Sequence, residues 1–399
     1  VTTTVHPSLR GHTGHRVASR RRGRLAVPGI STMAFWLLAA TVTVLNMFGL
    51  VMVMSASSVP SVREGAAPWS LFEKQVMWTV LGLVAFAATL MVSVDFWRRF
   101  ARPAMLGSLA LLVLVLVPGV GVTVNGATRW LGAGPFQVQP SEFAKFGLLL
   151  LAADLLDRRS DRMRDWTWSA GPVIVYLAIT SVLIMAQPNL GTTIIIASMV
   201  LTMLFVAGMP LLPLSALAFS GAAVSAAFVA FTPFRRTRFL RFLNPWEDPT
   251  NTGLQNVQSL VGMANGGVLG QGLGRSTAKW GFLPFAHTDF IFAVIAEEFG
   301  LLGALAVVAL FLGFACAGAW VASQARDRFS MLVATGITAW ITIQAFMNIG
   351  AVIGIMPITG VPLPFISFGG SSLIINLAAA GMLLNIARHP AEDRRRIVR

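Results

Sequence analysis

The sequence predicts an all-α polytopic membrane protein of about ten transmembrane helices, with a large extracytoplasmic loop between the seventh and the eighth. Three observations carry this expectation. Hydrophobic residues make up 55% of the 399 positions and charged residues only 12%, a balance foreign to water-soluble domains of this length. Apolar runs of about 20 residues, enough to span a hydrocarbon core of roughly 30 Å, recur along the chain. The formal charge of +14 falls mainly in short stretches between those runs, which is a pattern of membrane topology and not of nucleic-acid binding.

The runs lie near 34–55, 75–94, 104–121, 143–157, 171–187, 190–208, 212–231, 289–320, 330–356 and 366–387. Such continuous runs cross lipid as helices, because each backbone polar group must be satisfied within its own segment. Asp154 and Asp157 shorten the fourth. Residues 1–30, with Arg20, Arg21, Arg22 and Arg24, read as a disordered basic cytoplasmic tail. One membrane domain follows over 31–388, with its outer loop at 232–288, and then a basic cytoplasmic tail at 389–399. No signal peptide precedes the first run, which is therefore expected to be retained. The single Cys316 allows neither a disulfide framework nor a cysteine metal site.

Orientation follows from the arginines. With the N-terminal tail in the cytoplasm, the connections DFWRRFAR (95–102), DRRSDRMRD (157–165) and QARDR (324–328) and the C-terminal segment share that side. The short VAGMPLLP turn falls on the same side and is neutral; all the others are arginine-rich, as the positive-inside rule expects. The outer loop breaks the pattern with Arg235, Arg236, Arg238, Arg241, Arg275 and Lys279. These cations suit either anionic lipid headgroups or an anionic substrate at the outer surface, and the second reading is preferred.

Four outward stretches hold polar residues that an apolar bundle does not need. In NGATRWLGAGPFQVQPSEFAKF (125–146), Pro140, Ser141 and Glu142 look like a helix start, with Ser141 a candidate cap. Glu142 and Lys145 are spaced i, i+3 and can pair on one face. Lys145 is either a snorkelling lysine or half of an ion pair facing a cavity. AQPNLGTT (186–193) is a polar break between two runs. In the long loop, glycines 266, 267, 270, 272 and 274 cannot form a dinucleotide fingerprint without a βαβ unit. They are expected to let the backbone bend closely. Before them, Gln255 and Gln258, followed by the apolar SLVGMA, suit an amphipathic helix lying in the interface, and IMPITGVPLPFISFGGSS (355–372) breaks the chain before the last run.

LPFAHTDFIFAVIAEEFG (283–300) sets His287 and Asp289 at the mouth of the 289–320 run and Glu297 and Glu298 further in. Asp289 is either a helix-capping carboxylate or a partly desolvated proton acceptor. Glu297 and Glu298 lie roughly 12–14 Å along the helix from it. Each costs roughly 2.5–3.5 kcal/mol if charged at a helix centre, so they need partners. A structural or cavity role is assigned to both.

Together SAS (55–57), NGATRW, QPSEFAK, QPNLGTT, NPWEDP, GGVLGQGLG, LPFAHTDFIFAVIAEEFG and PLPFISFGGSS resemble the SEDS family (shape, elongation, division and sporulation) over about residues 34–388. That family includes the cell-wall polymerases FtsW and RodA, and the long basic N-terminus and SASSV (55–59) favour an FtsW-like chain. The resemblance implies a ten-span peptidoglycan glycosyltransferase acting on lipid II at the outer face of the cytoplasmic membrane. It also implies a class B penicillin-binding protein as partner, alongside other division-machinery membrane proteins. The family's essential acid falls on Asp289 and its QPSE-x-x-K pair on Glu142 and Lys145. Substrate binding is further assigned to Arg129, His287, Arg235, Arg236, Arg238, Arg241 and Lys279. Two departures stand out: Asn189 replaces the usual acid of QPDLGT, and Phe285 replaces a frequent glutamate. A lipid-linked pyrophosphate leaving group needs charge stabilisation more than protonation, so one carboxylate base suffices. The arginines, Lys145 or a divalent cation (Mg or Mn) are candidates to stabilise the pyrophosphate. A lipid II flippase, a RodA-type elongation polymerase and a non-catalytic scaffold are the competing readings.

Overall fold

The computed structural model describes residues 32–390, apart from 64, 125, 135, 233–235, 238, 240, 241, 252 and 281. Both expected basic tails, except residues 389 and 390, lie outside the described residues. The chain is a helical bundle: α1 (Met33–Arg63), α2 (Ser70–Met91), α3 (Val94–Leu114), α4 (Pro140–Arg158), α5 (Gly171–Ala186), α6 (Leu190–Val206), α7 (Leu211–Phe231), α8 (Leu254–Gly266), α9 (Ile291–Ser323), α10 (Arg328–Val352) and α11 (Gly370–Ala387). Each apolar run of the sequence has its helix. Among the described residues, α1, α2, α7, α9, α10 and α11 are long and apolar enough to cross a membrane by length and composition.

Chain interruptions fall where the sequence offers stops and caps. Helix α4 starts with Pro140 in its first turn, a position where the missing N–H is not needed. Its cap is Gln139, with no side-chain bond, and Ser141 is wholly buried instead of capping. Asn189 caps α6 by accepting from Thr192 N at 3.3 Å. Asp327 caps α10 by accepting from Ser330 N at 2.9 Å.

Helices α4, α10 and α11 are buried along most of their length, whereas α7 buries no residue. Small residues set the closest approaches. A Cβ on Gly381 would overlap Thr89 of α2, and one on Gly147 of α4 would lie 2.7 Å from Ser108 Oγ of α3. At one end of the bundle Arg98 Nη2 pairs with Asp157 at 2.6 Å. Arg98 Nε and Arg158 Nε reach Asp154 at 3.0 and 2.8 Å. This network corrects the expectation of a shortened fourth helix. Neutralised there, both aspartates stay inside a helix that runs to Arg158.

The opposite end carries the long connections, and it is not wholly helical as expected. Residues 122–138 form a three-stranded antiparallel sheet, β1 (Val122–Val124), β2 (Ala127–Ala133) and β3 (Phe136–Val138). Its pairs include Val124 with Ala127 and Ala133 with Phe136. Gly126 and Gly134, with φ of 75° and 59°, sit at the two tight turns, where positive φ favours glycine.

Helix α9 is broken at Gly300, where φ is 69° and ψ −166°. At 33 residues it would measure about 50 Å if straight, well beyond a core of about 30 Å. The glycine-rich segment answers the break. Gln271 N and Gly272 N donate to the carbonyls of Glu297 and Glu298, at 3.0 and 2.9 Å. In return, Leu301 N and Leu302 N donate to the carbonyls of Gly267 and Val268. Backbone groups that the kink leaves open are thereby paired by a second piece of backbone. A Cβ on Gly270 would overlap the Glu298 carbonyl oxygen, so close approach is what this glycine supplies. Helix α8 is the amphipathic segment expected in the loop, and its Ser259 Oγ donates to Val352 O at 2.6 Å.

Candidate active site

The site is assembled where the α8–α9 connection, the segment 353–369 and the start of α4 meet. Segment 353–369 carries Pro357, Pro362 and Pro364 and folds back into the bundle. Phe365 is buried with φ of 64°. Phe368 N donates to His287 O at 3.0 Å, and Ser367 Oγ to Thr288 O at 2.6 Å. The HTD backbone is therefore pinned to this fold-back.

Asp289 is half-buried just ahead of α9. The capping position of α9 is Phe290, without a side-chain cap bond, and Asp289 directly precedes it. Gly360, at φ 68°, faces the carboxylate: a Cβ there would lie 3.6 Å from Asp289 Oδ2. His287 is half-buried, its ring 5.8 Å from that of Phe368.

Lys145 and Glu142 form an ion pair at 2.9 Å, with side chains only 1% and 3% exposed. That geometry selects the ion pair over a snorkelling lysine. Lys145 also donates to Gln344 Oε1 at 2.9 Å and lies 4.8 Å from the Trp340 ring centroid. Gln344 donates onward to Pro362 O at 2.9 Å. One turn later, Asn348 Nδ2 lies 2.8 Å from both the Asp289 and the Val361 carbonyl oxygens. Sequence reading passed over Gln344 and Asn348. Two amides at i, i+4 in an otherwise apolar run were the signal.

The remaining candidates separate into groups. Arg129, on β2, holds the 186–193 break by donating to Gln187 O at 2.9 Å and to Pro188 O. Asn189 serves as the α6 cap described above. Arg236 and Arg275 are exposed, and Arg235, Arg238 and Arg241 lie outside the described residues.

Lys279, expected among the substrate-binding cations, turns into the fold, where it is 4% exposed and 3.3 Å from Glu298 Oε1. Ser55 Oγ of α1 donates to the same oxygen at 2.6 Å. Glu297 accepts from Ser276 Oγ, from Thr277 N and Oγ1 at 2.9 and 2.6 Å, and from Ala278 N at 3.2 Å. These two glutamates bind the loop to α9. Among the described residues no three His, Cys, Asp or Glu side chains converge to hold a metal ion.

A helical membrane bundle with a half-buried carboxylate at the head of a helix, framed by a proline- and glycine-rich fold-back, defines the class. The model of the FtsW, RodA and SpoVE cell cycle proteins matches residues 35–392, and the chain belongs to that family. It is 41% identical over 351 residues to a probable peptidoglycan glycosyltransferase FtsW of Geobacter metallireducens, covering 86% of this chain and 92% of that one. It is 42% identical over 361 residues to the protein of the same description in Mycobacterium tuberculosis, covering 90% and 68%. Among solved structures, a chain of a peptidoglycan synthase complex coordinating polymerization and crosslinking superposes with a TM-score of 0.73 at 30% identity, covering 88% and 97%. The rod shape determining protein RodA of Thermus thermophilus gives 0.67 at 30%, covering 90% and 98%.

Proposed function

We propose that this FtsW-like chain, a peptidoglycan glycosyltransferase, polymerises lipid II into glycan strands for cell division, with Asp289 as general base. The observation that carries the reading is the setting of Asp289: half-buried at the head of α9, facing Gly360. An acceptor sugar hydroxyl beside that carboxylate gives it a proton as the hydroxyl oxygen attacks the donor's anomeric carbon. The bond from that carbon to the lipid pyrophosphate breaks, and the pyrophosphate leaves with the electron pair. A single displacement inverts the anomeric centre. Negative charge then grows on the pyrophosphate, and the cations of the loop, Arg235, Arg236, Arg238 and Arg241, are the residues proposed to stabilise it.

Orientation is argued from charge. Arg98, Arg99, Arg102, Arg158, Arg159, Arg326 and Arg328 gather in helix ends and connections away from the site, which the positive-inside rule puts in the cytoplasm. Asp289 then faces outward and both termini face inward, with ten crossings. A class B penicillin-binding protein is the proposed partner, supported by the superposition on a synthase complex that both polymerises and crosslinks.

The test is glycan synthesis from lipid II by purified wild type and Asp289→Asn, each with and without a class B transpeptidase and divalent cation. Polymer from wild type alone is expected. Polymer from both would remove Asp289 as base. None from either, with partner present, would favour lipid II translocation or scaffolding. Neutralising the four arginines is expected to weaken lipid II affinity, and an unchanged affinity would remove their role.

A further inference from the structure

We propose that Asn348 is a positioning residue for Asp289, acting through the backbone on both sides of the carboxylate. The inference rests on Asp289 being the base. Asn348 lies on α10 and is 2% exposed. Its Nδ2 lies 2.8 Å from the Asp289 carbonyl oxygen and 2.8 Å from that of Val361. An amide nitrogen carries two N–H donors, so one group can hold both acceptors at once. Those acceptors belong to different pieces of chain: the turn entering α9, and the fold-back in which Gly360 faces Asp289 Oδ2. Joining them fixes the distance between the base and the wall opposite it.

Neither carbonyl sits within a helix, and the fold-back is poor in donors. Pro357, Pro362 and Pro364 bring no N–H to it. Irregular backbone buried at this depth must find side-chain partners. Two such partners lie one turn apart on α10: Gln344 takes Pro362 O and Asn348 takes Val361 O. Only Asn348 also reaches the residue that bears the base. Its role is therefore distinct from that of Gln344, which ties the fold-back to Lys145.

Asn348→Leu removes both donors at similar volume, and Asn348→Gln keeps them on a longer stem. The full chain with its transpeptidase is assayed for kcat and KM on lipid II and for the pH profile. Hydrogen exchange over 285–291 and 358–364 is followed on the same samples. A misplacement of about 1 Å costs on the order of 100-fold in rate. The expected result for Asn348→Leu is a fall in kcat of roughly 10- to 100-fold with KM nearly kept, a displaced acid limb of the pH profile, and faster exchange in both segments. Asn348→Gln should recover part of the rate. A purely structural residue would lower the amount of folded enzyme and leave KM, the pH profile and the rate per folded molecule alone. That outcome, or wild-type exchange in Asn348→Leu, would overturn the proposal. Asp289→Asn assayed alongside separates the two assignments. An active Asp289→Asn removes the base and this role together, while an inactive one beside a fully active Asn348→Leu removes only the role of Asn348.

Discussion

Lys145→Met is the most exacting perturbation of the bundle, because it deletes one charge from a pair that water does not reach. Lys145 Nζ lies 2.9 Å from Glu142 Oε2, with the two side chains 1% and 3% exposed. Methionine replaces most of the stem's volume, so the loss is one of charge and hydrogen bonding and hardly one of packing. Breaking a buried pair from one side typically costs about 3–5 kcal/mol, since the other charge stays buried without its partner. Loss of the Gln344 and Trp340 contacts acts in the same direction. Replacing both members, Glu142→Gln with Lys145→Met, removes the desolvation penalty together with the attraction. It should return to within about 1–2 kcal/mol of wild type. The double-mutant cycle therefore shows a coupling of about 2 kcal/mol or more. Thermal or denaturant unfolding of the detergent-purified protein measures it, with lipid II polymerisation scored on the same samples. The double variant should be folded and inactive, which separates a catalytic-cavity role from a stabilising one. A single variant losing under about 1 kcal/mol, or a double variant as unstable as the single, would refute the argument that these side chains form a buried ion pair.

Three further outcomes follow from the same geometry. Gly270→Ala puts a Cβ against the Glu298 carbonyl in a backbone at φ 83°; the conformation alone costs about 1–3 kcal/mol, so a lowered unfolding temperature is expected, and a wild-type value would mean that the break in α9 is not held by this segment. Glu297→Gln turns one of two accepting oxygens into a donor facing Ser276, Thr277 or Ala278; the loss is about 1–3 kcal/mol, read as faster amide exchange at 276–278, and unchanged protection would sink it. Asn189→Asp restores the acid usual in the family and keeps the oxygen that accepts from Thr192 N; stability should stay within about 0.5 kcal/mol because both residues cap well, and a larger loss by thermal unfolding would show that this buried position rejects charge.

The helices were legible because lipid permits so little else: an apolar run of sufficient length must pair its own backbone. The Glu142–Lys145 pair was legible for a similarly local reason, the i, i+3 spacing. What the sequence hid depends on contacts between distant segments. The sheet at 122–138 had a local signal, Asn-Gly between VTV and ATRW, but the general apolarity of the chain outweighed it. Asp154 looked like a defect in its run until Arg98, 56 positions earlier, was seen to meet it. Lys279 looked like a surface cation because Glu298, on another element, could not be recognised as its partner. Gln344 and Asn348 looked like tolerated amides because the carbonyls they serve lie in a segment whose fold-back no periodicity announces.

These hidden contacts share one physical origin. In a bundle of uninterrupted helices the backbone is paired within each segment. Breaking a helix opens a site and also leaves backbone groups open where water is scarce. Here the break in α9 is answered by the backbone of 267–272, and the fold-back after α10 by the amides of Gln344 and Asn348. The groups that make the interruptions tolerable are the ones that fix what the interruptions expose. Substituting them will therefore lower stability and activity together. Measurements of expression or viability cannot tell the two apart, whereas a kcat separated from KM and a pH profile taken on folded enzyme can.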